Sequence, residues 1–256
     1  MKEKLYKKIF KTLDLDNLKN YTILDLGCGQ GHLLNIIKKT LNNKSKLIGI
    51  DSSDKSIMFA KENFKDIDFQ LFKFIDKFNF QSNYFDLILS IDTLECIPNK
   101  NILIKELYRI LKPCGKLLIA HWDWDTQVYN TQNEKIIRNI VHQFADWKQG
   151  WMDACDGLMG RKIWGLFQGS KYFNGHMTIF NLIETEYTEN NYGYDRLKDI
   201  QGLVKKGVIN QKDYEIILDE MNQLYSENKY FYSINSFIYY GEKINKEGSE
   251  LAENSI

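Results

Sequence analysis

Residues 23–34 of the chain read ILDLGCGQGHLL. An apolar strand ends at Asp25 and Leu26, glycines follow at 27, 29 and 31, and a helix begins at once. Such a turn lets the backbone pass close to a ligand lying across the strand ends, and the free amides at the helix start favour an anionic group. The dinucleotide fingerprint GxGxxG requires glycine at position 32, where this chain has His32; the spacing here is DxGxGxG. The next apolar run, LIGID, places Asp51 at a second strand end. A carboxylate there can accept both hydrogen bonds of a ribose diol.

Outward from this loop, short apolar runs alternate with amphipathic segments over residues 21–121: YTILDL, KLIGID, DFQLF, FDLILSI and KLLIAHW. Leu33, Ile36, Ile37 and Leu41 recur at helical spacing, as do Leu103, Leu107, Ile110 and Leu111, the latter ending in KPCG where Pro113 stops the helix. This pattern predicts five strands of a doubly wound α/β unit. In residues 122–256 one helical stripe is expected over Ile137, Ile140, Val141, Phe144, Trp147 and Trp151. Two further strands, HMTIFNLIETEY and YFYSINSFIYYGEK, flank a helical pair over 193–228 whose second helix Asn210 can cap. The expectation is one domain with a Rossmann-like, mostly parallel seven-stranded sheet. Its last strand is antiparallel, the inserted helical cap lies over the acceptor site, and an N-terminal helix (1–20) closes the cofactor side.

The 256 residues are 43% apolar and 27% charged, enough for a full core without staples. Lys plus Arg equals Asp plus Glu at 34 each, and no basic block tracks a phosphate backbone, so nucleic acid is not the expected partner. No run is long enough to span a bilayer, and the opening MKEKLYKKIF carries charges where a signal peptide needs an apolar core. A cytoplasmic protein is the reading, with no membrane partner. Cys28, Cys96, Cys114 and Cys155 show neither a CxxC pair nor zinc-ligand spacing, so no metal is expected and the thiols read as reduced.

The glycine loop and Asp51 in register, followed by FDLILSIDTLECIPN and LYRILKPCGKLLIAHWD, resemble the class I S-adenosylmethionine-dependent methyltransferases. The resemblance implies S-adenosylmethionine as cofactor. It places Asp25, Gly27, Cys28, Gly29 and Gly31 along the methionine and ribose part, Asp51 on the ribose, Ser52 beside the adenine and Ser90 under the sulfonium. The acidic residue that family members often set against the adenine amino group aligns with Phe74. Where the family often reads VLEHIPN, this chain has TLECIPN, with Cys96 in place of a histidine and Glu95 retained.

The segment leaving the fifth strand, HWDWDTQVYN, borders the crevice in this fold. If it runs extended, His121, Asp123 and Asp125 face one way and Trp122 and Trp124 the other. Indole faces and carboxylates attract ammonium groups, so the wall predicts a small amine methylated on nitrogen. His121 would take its proton and Asp123 would assist, with Trp122, Trp124, Asp125 and Arg161 contacting the acceptor. Arg161 could instead pair with Asp153 or Asp156. Methylation of a hydroxyl, a non-catalytic cofactor-binding module, aminopropyl transfer and nicotinamide chemistry are the competing readings. The acceptor's identity and the oligomeric state are not encoded in any pattern found.

Overall fold

The computed structural model describes residues 2–13, 20–41 and 45–245, so the end of the expected 1–20 helix lies outside the described residues. Helix α1 (Lys2–Leu13) precedes β1 (Thr22–Leu26), α2 (His32–Leu41), β2 (Lys46–Asp51), α3 (Asp54–Asn63), β3 (Asp68–Leu71), β4 (Phe85–Ile91), α4 (Lys100–Ile110) and β5 (Leu111–Trp122). These strands pair in parallel in the order β3-β2-β1-β4-β5. Leu26 stands level with Ile50 on one side and Ser90 on the other, so the carboxyl ends of the central strands open at one height. Both faces are covered. Ile23, Leu47 and Leu87 enter one core layer while Leu24, Ile48 and Ile88 enter the other, which is why the runs are apolar throughout rather than alternating.

The second half contributes β6 (Val128–Tyr129), α5 (Glu134–Ala145), α6 (Met159–Gly169), β7 (Phe173–Glu184), α7 (Tyr192–Lys205), α8 (Gln211–Ser226) and β8 (Tyr232–Lys243). Strand β8 is antiparallel to β5, and β7 is antiparallel to β8. The seven long strands are those legible in the sequence; the two-residue β6 is an addition. Pairing of β5 with β8 ends at Trp122 opposite Ser236, the chain swings out through a 3₁₀ turn at Trp124–Thr126, and it rejoins the same edge of β8 at Val128 opposite Ser233. The run from His121 to Asp125 is therefore not one extended segment, because the strand gives way to this excursion.

Asn210 caps α8, its side chain accepting the Lys212 amide, and Tyr214, Ile217 and Met221 turn inward. Two boundaries differ from expectation. Helix α5 stops at Ala145, since the polar, glycine-containing DWKQG run that follows propagates a helix poorly. Trp147 packs against Phe144 instead, and Trp151 stands 68% exposed. Strand β5 starts at Leu111 rather than Lys116: Pro113 cannot continue α4, and Cys114, at φ +58°, kinks the strand where a separate turn was expected. No helix among the described residues is long and apolar enough to cross a membrane.

Candidate active site

A cavity of about 660 Å³, within the range of small-molecule sites, opens at the strand carboxyl ends. Its floor is the glycine loop. Gly27, Gly29 and Gly31 all take positive φ, and the amides of Gly27 and Cys28 both donate to the Ile50 carbonyl, tying the loop to β2. A Cβ at Gly27 would fall 1.9 Å from the Thr93 hydroxyl oxygen, whereas one at Gly29 would meet nothing within 4 Å, so the loop presents bare backbone on its open side. Asp51 accepts the Gly29 amide at 2.9 Å on one oxygen and the Ser53 amide at 2.8 Å on the other, which leaves a lone pair on each. Asp25, at the bottom, is only 2% exposed; burial, assisted by the negative Asp51, pushes its carboxyl up to about 7. Leu5 and Tyr6 of α1 close this end.

The opposite end is walled by Trp122 and Trp124 from β5 and its excursion and by Tyr192, Asp195, Arg196 and Asp199 from α7. Tyr192 lies 5.2 Å from Trp122 and stacks at 6.1 Å on Trp124, ring centre to ring centre. Arg196 pairs with Asp199 at 2.7 Å and rests over the Tyr192 ring. Asp92, just past β4, lines the cavity while accepting the Trp122 amide, and Glu95 lines it while accepting the Trp124 indole N–H at 2.8 Å.

Several residues singled out from the sequence lie elsewhere. His121 is fully buried, its Nδ1 2.7 Å from the Trp122 carbonyl, and it does not line the cavity. The backbone pleat that turns Trp122 toward the cavity turns His121 into the wall. Asp123 is also fully buried and is engaged by Arg161, whose Nε and Nη2 donate at 2.6 Å each and whose amide donates at 3.1 Å. This pair fastens α6 to the excursion and leaves neither partner in the cavity lining. Asp125 completes the cluster through Arg161 and His142. Asp153 and Asp156, the partners considered for Arg161, pair with Lys73 and Lys162.

Ser90 is buried, its hydroxyl donating to the Leu26 carbonyl, and it is Asp92, two residues on, that reaches the cavity. Ser52 is exposed and Phe74 packs on Phe78 at 4.7 Å, and neither lines the cavity; half-buried Asp51 adjoins it through the Gly29 amide it accepts. Asp25, Gly27, Cys28 and Gly29 do line it, and Gly31 lies one step behind them in the same loop. Asp92, Glu95, Tyr192 and Arg196 were not foreseen as site residues. Asp92 and Glu95 had a signal in DTLECIPN, since acids in the segment leaving a strand's carboxyl end border the crevice; YGYDRLKD carries none, because only docking of the cap brings it there.

S-adenosylmethionine fits this floor. The open Gly29 backbone admits close approach, and the Asp25 and Asp92 carboxyl groups line the same cavity, a setting suited to a cationic group.

The chain is similar to several known proteins. It is 25% identical over 145 residues to the ubiquinone/menaquinone biosynthesis C-methyltransferase UbiE of Paraburkholderia phytofirmans, covering 54% of this chain and 60% of that one. It is 30% identical over 129 residues to the 2-methyl-6-phytyl-1,4-hydroquinone methyltransferase of Synechocystis, covering 48% and 40%. The chain thus spans roughly half the length of the curated relatives it matches. Among solved structures, the MccD protein superposes with a TM-score of 0.56 at 19% identity, covering 93% of this chain and 96% of that one. The Bacillus subtilis YcgJ protein gives 0.56 at 14% identity, covering 94% and 98%. These likenesses carry the fold. The methyltransferase domain model matches residues 17–175, from the approach to β1 through the start of β7, and so takes in the whole glycine cradle and the strand end bearing Asp51. Over that span the loop chemistry and the family match coincide: the chain belongs to the methyltransferase domain family, as a class I, S-adenosylmethionine-dependent member.

Proposed function

We propose that this protein transfers a methyl group to the nitrogen of a small amine in the cytoplasm. The observation that carries the reading is the charge and ring content of the acceptor end: Asp92, Glu95, Asp195 and Asp199 face Arg196 alone among the fixed cations of the described residues, beside the ring faces of Trp124 and Tyr192. Such a wall favours an ammonium group by charge and by ring electrostatics. Bound S-adenosylmethionine supplies an electrophilic methyl carbon on a sulfonium. The chain's own work is positional. Gly27, Cys28 and Gly29 offer backbone to the cofactor's amino-acid end, Asp51 offers its remaining lone pairs to the ribose, and Asp25 and Asp92 oppose its positive charge. Trp122, Trp124 and Tyr192 exclude water and orient the acceptor lone pair for in-line attack, the main source of rate in such a displacement.

A second reading, methylation of a quinol carbon, draws support from the two quinone-pathway relatives, whose alignments extend over about half of this chain. The cap at 193–228 lies beyond the family match, so the part of the acceptor end that it contributes falls outside that match. A panel of small primary and secondary amines, hydroquinones and other hydroxylated metabolites, assayed for S-adenosylhomocysteine release, tests the proposal. Turnover confined to amines is expected. Turnover confined to hydroquinones or hydroxyl acceptors sinks it, and cofactor binding with no release for any acceptor class points to a non-catalytic module.

A further inference from the structure

We propose that Glu95 is the catalytic base that takes the acceptor's proton, and that His121 is a positioning residue that steadies the protonated carboxyl by accepting its hydrogen bond from behind. The proposal rests on the methyl-transfer reading above. Glu95 sits in the 3₁₀ turn Leu94–Cys96 immediately past β4. It is only 5% exposed, yet it lines the cavity beside Trp124, whose indole N–H holds one carboxylate oxygen. Directly behind it is His121, with no exposed surface at all.

The hydrogen bonding of His121 fixes its tautomer. Nδ1 lies 2.7 Å from the Trp122 carbonyl, which can only accept, so Nδ1 carries the hydrogen and Nε2 presents a lone pair. That Nε2 finds no hydrogen-bond partner among the described residues, and it lies 3.9 Å from Oε2 of Glu95. A buried nitrogen left without a partner is costly unless some state of the protein satisfies it. Protonated Glu95 provides that state once its carboxyl shifts from 3.9 Å to hydrogen-bond distance, its O–H then directed at Nε2.

Burial, the largest influence on each, raises the carboxyl of Glu95 and lowers the imidazole of His121; it outweighs the mutual attraction of their charged forms, so both lean toward neutral. The other titratable groups acting on Glu95 are Asp92 after β4, Lys100 of α4, Asp156 ahead of α6 and Tyr192 of α7, with Cys96 and Cys155 in their thiol forms.

The step balances without a further reagent. An acceptor ammonium gives its proton to the Glu95 carboxylate, leaving a neutral amine and a protonated carboxyl hydrogen-bonded to His121. The nitrogen lone pair then forms the N–C bond as the methyl–sulfur bond breaks, sulfur keeping that electron pair. The proton on Glu95 leaves to solvent when the products depart.

Two measurements on the full chain test this. In long-range ¹H–¹⁵N spectra, with no acceptor added, His121 should show the Nδ1–H tautomer, and its Nε2 resonance should follow one carboxyl titration that disappears in Glu95→Gln. In kinetics with whichever acceptor the panel identifies, Glu95→Gln should lower kcat at neutral pH by about a hundredfold or more. For an amine, that loss should shrink as the pH nears the amine's own pKa, with cofactor affinity unchanged. His121→Phe should keep KM near wild type and move the ascending limb of the pH profile to lower pH, which a packing role alone would not do. A flat Nε2 resonance, or a Glu95→Gln profile matching wild type, overturns the proposal. If only hydroquinones or hydroxyl acceptors turn over, the amine reading fails, and the same Glu95→Gln comparison on that acceptor still decides the role of Glu95.

Discussion

The loop from Gly27 to Gly31 and the excursion from Asp123 to Gln127 each leave the carboxyl end of a strand, and both border the same cavity. The first is shaped by backbone: positive φ at three glycines, two amides on one β2 carbonyl, and a carboxylate 22 residues away on the next strand. The second is shaped by side chains reaching across the chain. Arg161 grips Asp123 from 38 residues away, Glu95 holds Trp124 from 29, and Tyr232 meets Gln127 from 105. A ligand shared by a whole family can be held by the backbone of a short motif, whereas an acceptor particular to one protein is framed by contacts that no short motif contains.

The sharpest way to break the floor is Gly27→Ala. The left-handed backbone and the collision with Thr93 together should cost about 3 kcal/mol or more in stability and remove cofactor binding, read by chemical denaturation and calorimetry. A Gly27→Ala protein that still bound the cofactor would show the floor to be more pliable than its geometry implies.

Asp123→Ala attacks the wall. Removing a fully buried carboxylate from its guanidinium should cost about 2–3 kcal/mol, less than a wholly buried pair because Arg161 is 44% exposed. Cofactor affinity should stay near wild type while acceptor KM rises. Equal damage to both would mean that floor and wall are one cooperative unit.

Asp51→Ala should weaken S-adenosylmethionine binding by about 1.5 kcal/mol, roughly tenfold, by removing the acceptor of the Gly29 amide as well as the ribose contact. Its effect on stability should be smaller than that of Asp123→Ala.

The shallowest effect is a pH dependence, read per pH unit. Burial holds the Asp25 carboxyl near 7 against an ordinary 3.8, so between those values the folded protein binds a proton that the unfolded chain releases. The contribution of Asp25 to stability therefore falls as pH rises through that window. A cationic cofactor favours the ionised form, so affinity should strengthen with pH up to about 7 and level off above it, by less than about tenfold per pH unit. Asp25→Asn should flatten the slope; a slope that persists in that variant assigns it to another group.

The continuous apolar runs of β1, β2 and β4, the helical stripes between them and the glycine spacing each express a local rule, and each was legible from residue order. So was the Asn210 cap. His121 and Asp123 lie at the end of β5 but face away from the cavity, because the pleat and the excursion after Trp122 decide which side chains point inward. Arg161 showed its charge in the sequence but not its partner, which lies on a different element. Tyr192 and Arg196 gave no signal, since nothing in YGYDRLKD distinguishes a helix over a crevice from one over solvent.

By itself, then, the amino-acid order determined the strand sequence, the cofactor loop and the family, because backbone conformation and hydrophobic periodicity act over a few residues. Only the tertiary structure decided that Glu95 rather than His121 meets the cavity, that Asp123 belongs to Arg161, and that the cap supplies aromatic and acidic side chains to the end of the cavity opposite the glycine loop. Those choices depend on which distant elements dock, and docking is settled by packing and charge pairing summed over the whole chain.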